Sequence, residues 1–205
     1  MIPFNMTDMT EQRLQSLLVS NNRPALDAIN RSANIPKQIK YYQAGLIFAL
    51  MQQYNKEGNL IAEIGTRLGY SASIIAQAAP LAKVITYETE ISRVIRAKGK
   101  LLPFKNIKVI QGISWEILKT YEGPQLAAIF VDGDHKHASL DVPWFNWLQP
   151  DGLILFHDYT VLGSIHVVTA VDKMVATFNR PPDIEVIDSN GIGMAGFYRQ
   201  EGEHV

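Results

Sequence analysis

The sequence predicts an α/β protein built on a mostly parallel, doubly wound sheet, and two observations carry this prediction. Short apolar runs alternate with helical segments at intervals of roughly 20 to 30 residues, as expected of strands joined by crossover helices. The runs are apolar on both pleat faces, which is typical of strands covered by helices on both sides. These runs are LIAEIG, VITYE, IKVIQG, LAAIFVD and GLILFHD.

The chain before the first run is predicted to be helical. Residues 7–19 and 36–54 read as helices, because in the second segment apolar residues recur at three- and four-residue steps. Pro36 suits a first helical turn, and Gly58 ends the second segment. We therefore expect one domain, with N-terminal helices over residues 1–58 and a sheet-bearing core over residues 59–205.

Two further strands are predicted near the C-terminus, in DIEVIDS and GMAGFYR. Their connection, NGIG, is too short for a crossover helix but long enough for a hairpin. We therefore expect the last strand to run antiparallel to its neighbours.

Composition excludes several classes of function. The chain has 19 basic and 20 acidic residues among 205, so no global positive field attracts nucleic acid or an anionic membrane. It has no cysteine, hence no disulfide, thiolate metal site or thiol nucleophile. The N-terminus lacks a basic region followed by an apolar segment, and the apolar run AGLIFALM is too short to span a bilayer. We expect a cytoplasmic protein that binds neither nucleic acid nor membrane.

Acidic residues stand at the carboxyl ends of the predicted strands, where ligands bind in open parallel sheets. The first strand ends near Glu63, the second at Glu88 and the fourth at Asp132. The fifth ends at His157 and Asp158. A dinucleotide site would need the reverse electrostatics and a G-x-G-x-x-G turn, whereas EIGTRLGYS has only two glycines. The acidic rim favours a cationic ligand, a divalent metal, or both.

At these positions the chain resembles a known family. AEIGTRLGYS, followed by the acidic strand end in ITYETE, is similar to the first two motifs of class I S-adenosylmethionine-dependent methyltransferases. VDGDH and LILFHDY resemble the small-molecule O-methyltransferases related to macrocin O-methyltransferase and cephalosporin-type enzymes, which include metal-dependent members. The similarity covers roughly residues 38–198. It implies a Rossmann-like sheet of seven strands with the last strand antiparallel.

The resemblance implies a site for S-adenosylmethionine. Gly65 and Gly69 would let the backbone approach the methionine part of the cofactor, with Glu63 near its amino end. Glu88 would accept hydrogen bonds from the ribose hydroxyls, with Glu90 as the alternative. The implied cofactor-binding residues are Glu63, Gly65, Thr66, Gly69, Ser71, Glu88, Gly112, Ile113, Ser114 and Asp132.

The resemblance also implies that Asp132 and Asp158 hold a divalent metal, Mg²⁺ or Mn²⁺. The sequence differs from the metal-dependent members at His157, where they often carry a second acid. Because adjacent strand residues face opposite sides, we expect His157 to point into the core and the two carboxylates to hold magnesium weakly. If His157 points into the site as a third ligand, the preference shifts towards manganese, iron or zinc.

Two residues near Asp132 have competing interpretations. Asp132 could cap the following helix, but Asp134 is nearer the helix start and fits that role better. His135 matches a general base of the family, although a histidine in isolation is more often structural. With Asp132, it forms the implied catalytic pair.

The implied function is methyl transfer from S-adenosylmethionine to a hydroxyl of a small-molecule acceptor, assisted by a divalent metal. The alternative is a cofactor-binding protein without transferase activity that acts as a scaffold or assembly partner, because a fold alone does not establish chemistry. The apolar N-terminal helices offer a surface through which a homodimer could form.

Overall fold

The structure, a computed structural model, describes residues 4–160 and 162–205. The described residues form eight strands: β1 Phe4–Met9, β2 Leu60–Ile64, β3 Lys83–Glu88, β4 Ile107–Gln111, β5 Leu126–Val131, β6 Leu148–His157, β7 Ile184–Asp188 and β8 Gly193–Tyr198. The α-helices are α1 Glu11–Gln15, α2 Arg23–Arg31, α3 Tyr41–Met51, α4 Tyr70–Ala78, α5 Ile91–Leu101, α6 Ser114–Leu118, α7 Ala138–Asp141 and α8 Ile165–Phe178.

The chain divides into two compact units. The middle unit comprises residues 11–113, and the C-terminal unit comprises residues 4–10 and 114–205. Helix α3 and strand β2 lie in the same unit. That the whole chain folds as one domain stays a prediction.

The middle unit carries three parallel strands in the order β2-β3-β4, joined by α4 and α5. All five residues of β2 are buried, as its unbroken apolar sequence predicts. Helix α3 packs against α4 and against a π-helical turn, Ser16–Ser20. Gly45 makes this packing close, because a Cβ added there would lie 2.4 Å from the carbonyl oxygen of Leu18.

The C-terminal unit carries five strands in the order β1-β7-β8-β6-β5. Strand β8 is antiparallel to both β7 and β6, whereas β5 with β6 and β1 with β7 are parallel pairs. The predicted hairpin between β7 and β8 is confirmed, and so is the antiparallel last strand. The sheet packs its apolar residues inside, with all of β5 and β8 buried.

The expected number of seven strands is wrong, because β1 adds an eighth. The sequence pattern predicted a helix over residues 7–19, but only the part from Glu11 onwards is helical. Residues 4–9 instead pair with β7, as in the register Met6 to Val186. Pairing with a strand that is distant in sequence overrides local preference, and a short window of sequence does not contain that partner.

The N-terminal helices also differ from the prediction. Helix α3 begins at Tyr41, so Pro36 lies outside it, and a 3₁₀ turn, Gln52–Tyr54, follows. Helix α2 was not predicted, although its start carries a readable signal. The Asn22 side chain accepts the Ala25 N–H at 3.2 Å, and Pro24 stands in the first turn. No helix within the described ranges is long and apolar enough to cross a membrane.

Candidate functional site

The GTRLG turn joins β2 to α4 and requires both of its glycines. Gly65 has φ +100° and Gly69 has φ +91°, in the left-handed region that glycine tolerates without strain. The N–H groups of Gly65 and Thr66 both donate to the carbonyl of Tyr87, at 3.0 and 3.1 Å. A Cβ added at Gly69 would lie 2.8 Å from the side chain of Leu101. The turn is thus fixed to the end of β3 by its backbone.

Glu88 ends β3 and is held beside this turn. Its side chain accepts the Arg67 N–H at 2.7 Å through Oε2 and the Glu90 N–H at 3.0 Å through Oε1. Each carboxylate oxygen has two acceptor sites, so these bonds orient Glu88 and leave capacity for further donors. Glu90 instead lies exposed and pairs with Arg93 at 2.7 Å. Of the two acids, Glu88 has the environment that a ribose site needs.

Two other predicted cofactor residues, Glu63 and Thr66, are buried in the middle unit. Glu63 is buried and accepts a hydrogen bond from the Thr86 hydroxyl. The Thr86 hydroxyl oxygen in turn lies 2.5 Å from that of Thr66. Ser71 is buried in the first turn of α4. The side chains of Glu63 and Thr66 therefore engage Thr86.

Gly112 and Ile113 follow β4. The Gly112 N–H donates to the Glu88 carbonyl at 2.9 Å, and the next side chain, Ile113, is exposed. The exposed apolar side chain of Ile113 therefore directly follows Gly112, whose backbone N–H is bonded to Glu88. Ser114 and Asp132, which complete the predicted cofactor set, lie in the C-terminal unit, and their cofactor role stays a prediction.

Ser114 has a buried partner that the sequence analysis did not identify. Its hydroxyl donates to Oδ1 of Asp141 at 2.5 Å, and Asp141 is 1% exposed. Burial raises the pKa of Asp141 to about 6, although the hydrogen bond from Ser114 opposes this shift. The two residues stand 27 positions apart, so no local pattern signals their contact.

Four predicted residues form one cluster in the C-terminal unit. The Nδ1 atom of His157 lies 3.2 Å from Oδ1 of Asp132 and 3.2 Å from Oδ2 of Asp158. The Nε2 atom of His135 lies 3.5 and 3.6 Å from the same two oxygens. The four ligand-type atoms all lie within 4.8 Å of one another. The structure thus brings together both predicted catalytic residues and all three predicted metal ligands.

His157 points into this cluster, and the expectation that it faces the core, away from Asp158, is wrong. Asp158 follows the last residue of β6 and has φ +55°, which ends the alternation of side chains along the strand. The next loop packs tightly on this residue, because a Cβ added at Gly163 would lie 2.6 Å from the Asp158 carbonyl oxygen. The left-handed backbone lets neighbouring side chains meet.

Opposite charges hold the cluster together. Burial lowers the pKa of His157, but Asp132 and Asp158 outweigh burial and raise it to about 10. Burial raises the pKa of Asp132, but His157 and His135 lower it to about 2. The pKa of Asp158 is also lowered, against the effect of burial, chiefly by His157. Carboxylates and imidazoles therefore stabilise each other's charged forms in a largely buried place.

The cluster has a donor set that fits a divalent metal. His157 is 5% exposed, and neither of its ring nitrogens has an aligned hydrogen-bond partner among the described residues. Its 3.2 Å contacts to the carboxylates are therefore close ionic contacts without hydrogen-bond alignment. Two imidazole nitrogens and two carboxylate oxygens are ordinary ligands of divalent transition metals.

Asp134 has the capping role that the sequence predicted for it. Asp134 caps the 3₁₀ turn His135–His137 by accepting the Lys136 N–H at 3.2 Å. It also lies 2.8 Å from Nδ1 of the exposed His137. The cap is supplied by Asp134, which leaves Asp132 for the cluster.

The comparisons with known proteins match methyltransferases. Residues 62–159 match a protein family described as a methyltransferase domain. An O-methyltransferase from Bacillus cereus, solved with S-adenosylhomocysteine, is 17% identical, with a TM-score of 0.65 over 92% of this chain and 96% of that chain. The Streptomyces achromogenes O-methyltransferase TomG, involved in tomaymycin synthesis and solved with S-adenosylmethionine, is 21% identical, with a TM-score of 0.66 over 91% and 93%.

A third solved structure, a Podospora anserina methyltransferase bound to S-adenosylhomocysteine, is 17% identical. Its TM-score is 0.66 over 92% of this chain and 94% of that chain. No curated protein sequence matches the chain at a significant level. At these identities the likeness to solved structures shows a shared fold.

Proposed function

We propose that this chain, which has the class I fold of the S-adenosylmethionine-dependent methyltransferases, transfers a methyl group from that cofactor to a hydroxyl oxygen of a small molecule. The observation that carries the proposal is the hydrogen bond between the Arg67 N–H and the Glu88 carboxylate. It joins a glycine turn with left-handed backbone to an oriented acid at the end of the neighbouring strand.

The middle unit supplies the groups that bind the cofactor. Gly65 and Gly69 leave no side chain between the turn and the methionine part of the ligand. The Glu88 carboxylate accepts charge-assisted hydrogen bonds from the ribose hydroxyls, for which the 3.4 Å hydrogen bond from the Thr89 hydroxyl to Oε1 is a weak competitor. Ile113 offers an exposed apolar side chain for the adenine ring. The glycine turn thus contacts the methionine part of the cofactor, Glu88 contacts the ribose, and Ile113 contacts the adenine.

Methyl transfer is a direct displacement. A lone pair of the acceptor oxygen forms the new bond to the methyl carbon, and the carbon–sulfur bond breaks with its electron pair returning to sulfur. The sulfonium becomes the neutral thioether of S-adenosylhomocysteine. Holding donor and acceptor in line supplies on the order of 7 to 11 kcal/mol of the reduction in barrier.

His135 takes the proton that the acceptor hydroxyl loses. Its side chain is about one third exposed, and its Nε2 atom is directed towards Asp132. The hydrogen bond with Asp132 raises the pKa of His135, against the effect of burial, and makes the imidazole a stronger base. A positioned base of this kind contributes roughly 100-fold to 10,000-fold in rate.

Asp132, Asp158 and His157 are the residues that would hold a divalent metal, for which the resemblance implies Mg²⁺ or Mn²⁺. When bound, such an ion lowers the pKa of a coordinated hydroxyl and orients it. Asp132 and Asp158 contribute two carboxylate oxygens that the backbone around β5 and β6 fixes in place.

The test has two stages. Isothermal titration calorimetry with S-adenosylmethionine and S-adenosylhomocysteine measures cofactor binding, and a variant with Glu90→Ala serves as a control beside Glu88→Ala. Mass spectrometry then follows methyl transfer to a panel of hydroxylated small molecules. We expect binding of both forms and a mass gain on oxygen. Failure of both forms to bind would overturn the proposal, and transfer to nitrogen or carbon acceptors would contradict oxygen as the target.

A further inference from the structure

We infer that the metal site formed by Asp132, His157 and Asp158 selects a first-row transition metal ion, such as Zn²⁺ or Co²⁺, over Mg²⁺. This inference deepens the metal assistance of the proposed function, but metal binding can be measured without cofactor or acceptor. The ligands are one oxygen each of Asp132 and Asp158 and the Nδ1 atom of His157, which leaves His135 free to act as the base.

The distances from His157 to the two carboxylates are close to those between ligands that share one ion. Bonds of 2.0 to 2.2 Å around a tetrahedral ion place neighbouring ligand atoms about 3.3 to 3.6 Å apart. The Nδ1 atom of His157 lies 3.2 Å from Oδ1 of Asp132 and 3.2 Å from Oδ2 of Asp158. The side chains therefore need little rearrangement to surround one ion. Mg²⁺ instead demands near-ideal octahedral geometry with oxygen ligands.

His157 provides an independent sign of a ligand. Buried polar atoms normally have hydrogen-bond partners. The two ring nitrogens of His157 are buried and have no aligned partner in the described part of the chain. Its Nδ1 atom nevertheless faces two carboxylate oxygens that converge from different strands. This orientation suits an imidazole that shares an ion with both carboxylates.

The chemistry of the donors sets the selectivity. Imidazole nitrogen suits zinc, cobalt, iron and nickel, whereas magnesium prefers carboxylate, carbonyl and water oxygens. One of the three donors here is an imidazole, His157, at the position where the metal-dependent relatives often carry an acid. Replacing His157 by an acid would give three carboxylate ligands and would move the metal preference of the site towards magnesium.

The experiment uses the full chain after removal of metals with a chelator. Calorimetry measures the affinities for Zn²⁺, Co²⁺ and Mg²⁺, and visible absorption of the Co²⁺ complex reports coordination geometry. The variants are His157→Ala and His157→Asp. His137→Asn is the control, because this exposed histidine pairs with Asp134 outside the cluster. Circular dichroism of each variant checks that it is folded.

We expect the unmodified chain to bind Zn²⁺ and Co²⁺ at least ~100-fold more tightly than Mg²⁺, with the intense visible bands of tetrahedral cobalt. His157→Ala should weaken Co²⁺ binding by at least ~10-fold, and His137→Asn should leave it unchanged. His157→Asp should reduce the ratio of the Co²⁺ affinity to the Mg²⁺ affinity.

Three outcomes would overturn the inference: no binding of Zn²⁺ or Co²⁺ by the unmodified chain, equal or tighter binding of Mg²⁺, or an equal loss of Co²⁺ affinity in His137→Asn. Cofactor binding is measured on the same samples. Metal binding without cofactor binding would refute the proposed function alone, and cofactor binding without metal binding would refute this inference alone.

Discussion

The Nδ1 atom of His157 lies 3.2 Å from Oδ2 of Asp158, although these residues are neighbours in the chain. In a regular strand their side chains would face opposite sides. Strand β6 ends at His157, and the left-handed backbone of Asp158, with φ +55°, redirects its carboxylate towards the imidazole. This local departure from strand geometry creates the cluster with Asp132 and His135.

Replacing Glu88 with alanine should weaken S-adenosylmethionine binding by at least ~1.5 kcal/mol, about tenfold, because the ribose hydroxyls lose a charged acceptor. Calorimetry measures the change. Glu90→Ala is the matched control, since Glu90 lies two residues away and pairs with Arg93 on the surface. Equal affinities for Glu88→Ala and the unmodified chain would remove Glu88 from the cofactor site.

Gly69→Ala should destabilise the protein more than Gly58→Ala. Both glycines have similar left-handed backbones, with φ +91° and +86°, so both substitutions carry a strain of roughly 1 to 2 kcal/mol. Only at Gly69 does the new Cβ meet a neighbour, the Leu101 side chain at 2.8 Å. Overpacking adds about 1 to 3 kcal/mol. Urea unfolding at fixed pH measures the free energy of unfolding of both variants. Equal losses of stability in the two variants would contradict the additional cost of the contact with Leu101.

Two helical glycines should respond to alanine with opposite signs. Gly45→Ala should be destabilising, because the added Cβ would lie 2.4 Å from the Leu18 carbonyl oxygen. Gly99→Ala, in α5, meets nothing within 4 Å and should be stabilising by about 0.5 to 1 kcal/mol through higher helix propensity. Thermal unfolding of the two variants tests this. A Gly45→Ala variant as stable as the unmodified chain would refute the close contact.

Asp141 should make the protein less stable as the pH rises from about 4 to 7. Its pKa is raised in the folded state to about 6 from an ordinary 3.8, so the folded form binds its proton more tightly than the unfolded form. The stabilisation is full below pH ~4 and is lost as the pH rises through ~6. The loss is on the order of 3 kcal/mol.

Asp141→Asn should remove this pH dependence and raise stability at neutral pH, because the amide oxygen can still accept from Ser114 without a buried charge. Urea unfolding at several pH values measures it. Asp172→Asn, on the exposed side of α8, is the control and should leave the slope unchanged. If the free energy of unfolding depends on pH equally in Asp141→Asn and in the unmodified chain, the raised pKa of Asp141 is contradicted.

His135→Ala should lower methyl transfer by roughly 100-fold to 10,000-fold while leaving cofactor affinity unchanged. Because Asp132 raises the pKa of His135 above the ordinary 6.5, the rate of the unmodified chain should rise with pH through a value above 6.5, as the imidazole loses its proton. Stopped assays with any acceptor found in the panel give both results. A variant with full activity would exclude His135 as the base.

Much of the fold was readable in the sequence, because it depends on local patterns. The core strands β2 to β8 follow from apolar runs, and the β7–β8 hairpin follows from the short NGIG connection. Helix α2 was missed even though Asn22 and Pro24 mark its start. Strand β1 was assigned to a helix, since its stability comes from pairing with β7 at the other end of the chain.

For the site, the sequence by itself determined which residues stand at the strand ends: the two turn glycines, Glu88, Asp132 and Asp158. It did so because strand ends and turns are local features. Only the tertiary structure decided where the side chains point. The left-handed backbone of Asp158 directs its carboxylate towards His157, and chain segments far apart in sequence bury Asp141 against Ser114. Side-chain direction at a strand end depends on one backbone angle and on neighbours from other segments, and a residue pattern records neither.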